Sequence, residues 1–348
     1  MGLGGAERQL AQLSSGLMAR NVEVHVVTVF AGVYDPLLAA TGAITHRLHP
    51  LGKYDATLIP RMVPLLRRIK PDVATTWLTQ MDIVGGLAAS IAGLPWVLCE
   101  RCSAEAYPPS FIHTARARVA GRAAAIVANA EVGRDYWRGL TRRPIHVVPN
   151  IVPLAEIESA PAEVGDADAD GEIILFAGRL AAQKNIELLL DALAMVLAER
   201  PATAIFCGDG LQRAAFESKA SSLGIAHRTR FLGSVPNVWS WMKVASVVVS
   251  PSLFEGDPNV VLEAIAARAP LVVSDIAPHR ALLNERTAWL VDPRSPDSIA
   301  AGLHAALDDR SEAQARAERA YAVVAKRTAY DIAGRYIEVF EDAIRGKR

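Results

Sequence analysis

Ser250-Pro251-Ser252-Leu253-Phe254-Glu255-Gly256-Asp257-Pro258-Asn259-Val260-Val261-Leu262-Glu263-Ala264 reads as the end of a strand, a loop and the start of a helix. The β-branched run Ser246–Ser250 enters it. Proline at 258 suits a first helical turn, where its fixed φ is already helical and no N–H is required. Asp257 stands where an N-cap is expected. Glu255 in the loop and Glu263 in the second turn therefore flank a helix N-terminus whose free N–H groups suit an anion. A polyhydroxylated ligand with a pyrophosphate fits this arrangement, because carboxylates accept hydrogen bonds from hydroxyls while the helix end faces phosphate.

Outward from this segment the same alternation recurs almost throughout. Strand patterns fall at Ile173–Ala177, Thr203–Cys207, Arg230–Leu232, Leu271–Ser274 and Ala288–Val291, with helices at Ile186–Glu199, Leu211–Leu223, Pro258–Arg268 and Ser295–Leu307. Earlier strands are expected at Val22–Phe30, Ile44–His49, Asp72–Trp77, Trp96–Glu100, Ala125–Asn129 and Ile145–Val148, with helices at Asp82–Ala92 and Ile112–Gly121. Such alternation predicts an α/β protein, its sheets parallel and covered by helices on both faces. Pro153–Gly171 is rich in Ala, Asp and Glu and has no apolar period. The expected organisation is an N-terminal domain over 1–152, a linker over 153–171, and a second domain over 172–328. A last helix within 329–348 packs back on the first domain. The chain opens on the turn Met1-Gly2-Leu3-Gly4-Gly5 and the helix Ala6–Arg20, so the strand that ordinarily opens a doubly wound domain is expected to be missing, through a shortened or misassigned start.

Composition narrows the class. The 348 residues are 51% hydrophobic and 21% charged, enough for a full core without staples, and three cysteines make no disulfide framework. A reducing, cytoplasmic setting follows. The longest uncharged run, Ile83–Cys99, is broken by Gly85, Gly86, Gly93 and Pro95 and is too short to span a bilayer. No charged and apolar leader is evident. Net charge is zero, yet residues 1–150 carry 16 Lys and Arg against 10 Asp and Glu. That asymmetry suits contact with an anionic acceptor or the inner face of the membrane, with ordinary surface scatter as the plain alternative. The run Arg61, Arg67, Arg68, Lys70 around Pro60 and Pro64 is the segment for such contact, or simply a solvated face. No stripe is dense enough for nucleic acid. Cys99-Glu100-Arg101-Cys102 has half-zinc-site spacing but no second pair, so no metal is expected.

A second segment, Phe176-Ala177-Gly178-Arg179-Leu180-Ala181-Ala182-Gln183-Lys184-Asn185, follows the first strand of the second domain, at the carboxyl end where open α/β sheets bind ligands. Arg179 can grip phosphate as a fork and Lys184 adds a point charge, enough to neutralise a leaving diphosphate without a metal. The plain alternative is a solvated pair beside a turn.

Together these segments resemble the family-4 retaining glycosyltransferases of the GT-B fold. Gly-Arg-Leu…Lys-Asn is followed in order by Glu-x7-Glu, and Gly4-Gly5-Ala6-Glu7-Arg8, Thr76-Trp77, Val148-Pro149-Asn150 and Gly208-Asp209-Gly210 add to it. The resemblance implies two Rossmann-like domains with a cleft between them. It implies a nucleoside-diphosphate sugar as donor, a glycan or lipid-linked acceptor on the N-terminal domain, and front-face displacement with retention. Glu255, Arg179 and Lys184 would be catalytic. Gly4, Gly5, Gly178, Gly208, Gly256, Asp257, Pro258, Asn259 and Glu263 would join Arg179 and Lys184 in holding the donor, with Glu263 on the ribose. Gln80 stands where family members often have histidine, and Asp257 where they often have an apolar residue. Gln80 and Arg101 would face the acceptor. Rival readings are a non-catalytic sugar-nucleotide-binding subunit and another enzyme of the same fold, such as an epimerase or phosphorylase. A dehydrogenase is disfavoured, because Glu7 replaces the third glycine of the dinucleotide fingerprint.

Overall fold

The computed structural model describes residues 5–52, 55–163 and 171–346. It divides into two compact units, Met1–Ile151 with Arg327–Arg348 and Val152–Lys326. The first unit runs α1 (Gly5–Met18), β1 (His25–Thr28), α2 (Asp35–Ala40), β2 (Ile44–Arg47), α3 (Leu58–Ile69), β3 (Ala74–Trp77), α4 (Thr79–Ala92), β4 (Trp96–Glu100), α5 (Phe111–Ala120), β5 (Ala125–Ala128), α6 (Glu131–Arg138) and β6 (Ile145–Val147). The second runs α7 (Leu154–Ser159), β7 (Glu172–Ala177), α8 (Ile186–Glu199), β8 (Ala202–Cys207), α9 (Arg213–Ser222), β9 (Thr229–Gly233), α10 (Val238–Val244), β10 (Val247–Ser250), α11 (Asn259–Ala266), β11 (Leu271–Ser274), α12 (Ala277–Arg280), β12 (Trp289–Val291), α13 (Pro296–Asp308) and α14 (Arg310–Ala320). The closing helix α15 (Ala329–Arg345) belongs to the first unit.

The second unit is one six-stranded parallel sheet in the order β12-β11-β10-β7-β8-β9. Strand alternation builds a core on each face. Ile174, Phe176, Val247 and Val249 point to one, and Ile173, Leu175, Ala177 and Val248 to the other. The chain moves one way from β7 to β9 and the other way from β10 to β12, so the order reverses between β7 and β10. In open α/β sheets that switch point opens a crevice at the carboxyl ends of the strands.

In the first unit β3-β4-β5-β6 form one parallel sheet and β1-β2 a separate parallel pair. Among the described residues no strand pairs one sheet with the other. The two pieces are joined through side chains instead: Val27 and Val29 pack on the core holding Leu98 and Ile126, and Val24 on that holding Trp77 and Val97. Against the other face, α1 and α15 bring Leu13, Leu17, Ile332, Tyr336 and Phe340 onto Val97, Cys99 and Val127.

Two expectations are corrected, and one helix stands where none was expected. Residues 154–159 are helix α7, not linker, and its Ile157 is fully buried in the second unit's core. The run around Pro60 and Pro64 is helix α3 with Pro64 inside it. Burial of Leu58, Met62, Val63, Leu65 and Leu66 offsets the lost backbone bond, and Arg61, Arg67 and Arg68 face outward beside Pro60 and Pro64. Finally, α11 starts at Asn259. Pro258 is extended at the cap position with no side-chain cap, so Asp257 lies outside the cap it was expected to form.

Candidate active site

The loops leaving β7 and β10 flank the switch point, and they are stitched together. Leu253 N donates to Gln183 O at 2.9 Å, Gln183 Nε2 to Phe254 O at 2.8 Å and Asn185 Nδ2 to Pro251 O at 3.1 Å. Asn185 holds left-handed φ of 57°, where its short amide is better tolerated than a bulky side chain. It also donates to Pro293 O at 2.6 Å. This frame brings Lys184 Nζ 2.5 Å from Glu255 Oε1. Burial alone would push the Glu255 carboxyl up. The Lys184 charge and hydrogen bond, with help from Ser252 and His279, hold it below the usual range.

Arg179 is exposed on the β7 loop and forms no ion pair among the described residues. Gly178 and Gly208 both take positive φ, 141° and 144°. A Cβ at Gly208 would sit 1.9 Å from the Gly178 carbonyl oxygen, and one at Gly210 would sit 2.2 Å from that of Leu180. Gly208 therefore serves the close crossing of two loops at the site's floor, held by Gly178 N to Cys207 O and Leu180 N to Asp209 O, both 2.9 Å. Gly256, Asp257 and Pro258 are buried beside the start of α11, and Asn259 is partly exposed. Glu263 is buried on α11, and its Oε2 accepts from Trp239 Nε1 at 2.8 Å.

Sequence reasoning missed Trp239 and His279, and it quoted Asn185 only as the end of a motif with no role. All three lie on or behind carboxyl-end loops, the signal that could have found them. His279 is fully buried, its Nδ1 2.8 Å from Ser274 O. A carbonyl only accepts, so that nitrogen carries the proton. Burial keeps the ring's pKa below the usual histidine range, although the Glu255 charge acts to raise it.

Gly4 lies outside the described residues, and Gly5 opens α1 in the first unit. Gln80 stands in the first turn of α4, after Leu78 at φ 72°, and its Nε2 is buried without a hydrogen-bond partner among the described residues. Arg101 stacks over Trp77 at 4.4 Å and donates to Asn150 Oδ1 at 2.9 Å and to the Tyr336 hydroxyl at 3.2 Å. It ties the β4 loop to α15. Cys99 is wholly buried, with its thiol pushed up by burial to about 12, too high for a redox thiolate.

Glu100 organises the same loop. Its carboxylate accepts from Arg101 N at 2.8 Å, Cys102 N at 2.9 Å, the Tyr107 hydroxyl at 2.6 Å and Trp137 Nε1 at 2.8 Å. Buried Arg116 bridges Glu100 at 2.9 Å and Asp82 at 2.8 Å. Burial, against the Arg116 charge, raises the Asp82 pKa to about 6. The unfolded chain gives up this proton near pH 4. Between roughly pH 4 and 6 the folded chain thus binds more protons, and raising the pH costs stability. Asp82→Asn should flatten this part of the melting-temperature profile. A fall between pH 4 and 6 as steep as the parent's would show that Asp82 does not set it.

Comparison with known proteins agrees with this layout. Residues 3–156 match the model described as Glycosyltransferase Family 4, and residues 162–323 the model described as Glycosyl transferases group 1. An uncharacterized glycosyltransferase of Methanocaldococcus jannaschii is 38% identical over 143 residues, 40% of this chain and 37% of that one. The alpha-D-kanosaminyltransferase of Streptomyces kanamyceticus is 28% identical over 61% of this chain and 58% of that one. These matches span between about a third and three-fifths of the relatives' lengths. The Anabaena HepE structure in complex with UDP-glucose superposes with a TM-score of 0.83 at 21% identity, covering 97% of this chain and 96% of that one. The chain belongs to the family-4 glycosyltransferases and has their two-domain α/β GT-B fold.

Proposed function

We propose that the chain transfers a sugar, with retention, from a nucleoside-diphosphate donor to a glycan or lipid-linked acceptor in the cytoplasm. The observation that carries this reading is the Lys184–Glu255 pair at the switch point, 2.5 Å apart and held by two interlocked loops. One ammonium has three donors, so Lys184 can keep Glu255 oriented and still meet a phosphate oxygen. Arg179 supplies a second cation on the same loop, and the N–H groups opening α11 face the same crevice. These groups, rather than a divalent ion, neutralise the leaving diphosphate. Glu255 accepts from sugar hydroxyls. Glu263 accepts from the ribose while the Trp239 N–H fixes its carboxylate. That HepE was solved with UDP-glucose, and that a relative is a kanosaminyltransferase, supports a nucleotide sugar as partner.

The test is a mass-spectrometric screen of donor hydrolysis across nucleotide sugars. One donor should be hydrolysed slowly to nucleoside diphosphate and sugar, and faster once acceptor is present. Tight binding without turnover would favour the non-catalytic subunit. Release of an isomerised or free sugar with no transfer would favour an epimerase or phosphorylase.

A further inference from the structure

The excess positive charge of the first unit is not spread evenly. Strands β3 to β6 are neighbours in chain order, so right-handed crossovers place α4, α5 and α6 on one face of the sheet. Helix α3 packs beside α4 through Leu58, Met62 and Val63 against Val84, Ala88 and Ala89. Each helix runs against the strands, so all four end at the amino edge of this sheet. There α3 presents Arg67, Arg68 and Lys70, all exposed. Exposed Arg118 and Arg122 lie at the end of α5. Arg138, Arg142 and Arg143 stand exposed around the turn from α6 to β6. Exposed acids close to these ends are Asp72 and Asp135, the second 3.2 Å from Arg138.

The turns are physically continuous. Arg143 Nε donates to Gly121 O at 2.8 Å, and Arg67 Nη2 to Ile91 O at 3.4 Å. Two large apolar side chains, Ile91 at 55% exposure and Leu140 at 45%, sit among the cations. Between the α5 and α6 turns lies an open hollow of about 510 Å³, lined by Gly121 and residues 138–143. Four helix ends at interaxial spacings of about 8–10 Å make an edge roughly 30 Å long. Cations at helix ends each favour the local dipole, but that gain is confined to each helix. It does not require exposed apolar residues between them.

We infer that this amino edge is a docking surface for an anionic bilayer. The cations meet headgroup phosphates, the hollow beside Arg138, Arg142 and Arg143 takes one such group, and Ile91 and Leu140 enter the headgroup layer. A single-stranded nucleic acid would want aromatic platforms, and none of the exposed residues named on this edge is aromatic. Duplex nucleic acid would want an element able to enter a groove, which blunt helix ends are not. The inference does not depend on the donor reading.

Co-sedimentation of the full chain with vesicles of phosphatidylcholine alone, or containing 30 mol% phosphatidylglycerol by design (roughly the anionic load at which such surfaces attract cations), tests it. Binding should need phosphatidylglycerol and weaken steeply with salt. R138Q/R142Q/R143Q should lower partitioning on the order of 100-fold, at about fivefold per cation. R286Q/R310Q/K326Q, an equal loss of charge on the second unit, should leave it unchanged. Circular dichroism identical to the parent's confirms that each variant is folded. The inference fails if the parent ignores phosphatidylglycerol, if both triple variants lose binding equally, or if an RNA homopolymer is held while vesicles are not.

Discussion

Lys184→Ala is expected to remove most donor binding in a calorimetric titration, weakening it on the order of 100-fold, or about 2.7 kcal/mol. Two effects add. A phosphate partner is lost, and Glu255, 8% exposed, is left as a buried carboxylate without its cation. Removing one member of a buried pair costs about 3–5 kcal/mol. Here the pair's side chains keep 17% and 10% of their exposure, so the loss falls below that range. The double variant K184A/E255Q separates the effects, since a neutral amide needs no cation. Its melting temperature should recover toward the parent's while donor binding stays lost. Glu263→Ala should weaken donor binding similarly with a smaller stability change, because Trp239 is only partly buried and can turn its N–H to water. If the parent binds a nucleotide sugar and both single variants bind it equally well, the donor assignment is wrong.

Gly208→Ala should be the most damaging small substitution in the second unit, lowering stability by about 4 kcal/mol or more. The added methyl would stand 1.9 Å from the Gly178 carbonyl oxygen, a backbone atom that cannot swing aside. Its φ of 144° is also one that an L side chain rarely adopts. Relief requires the 178–180 and 208–210 loops to separate. That breaks the bonds from Gly178 N to Cys207 O and from Leu180 N to Asp209 O, and shifts Arg179 with them. Chemical denaturation should show a lower midpoint at unchanged slope, and donor binding should fall even where the variant is folded. Alanine accepted at less than about 1 kcal/mol, the ordinary effect of a point mutation, would show that the loops do not need this crossing.

Strands such as Ile173–Ala177 and Leu271–Ser274 were legible because both faces of their sheet are covered, which writes a continuous apolar run into the sequence. Lys184 and Glu255 were legible because strand ends and turn residues mark the carboxyl-edge loops. That they touch was not, since 71 residues separate them and only the strand order, with β10 beside β7, makes them neighbours. Helix α3 was hidden by its two prolines, whose cost is outweighed by burial that no local window reveals. Trp239 was illegible for the same reason as the pair: its partner Glu263 comes from a different turn of the sheet. Asp257 misled because a good capping residue one place too early looks, in sequence, like the cap itself.

The divided sheet of the first unit has a further consequence. Among the described residues the strands of this unit form two sheets, β1-β2 and β3-β4-β5-β6, and so present four edges of main-chain amides and carbonyls where one continuous sheet would present two. Such groups seek any extended backbone within reach. Edges of this kind are what a guest strand, from this chain or from another, would pair with.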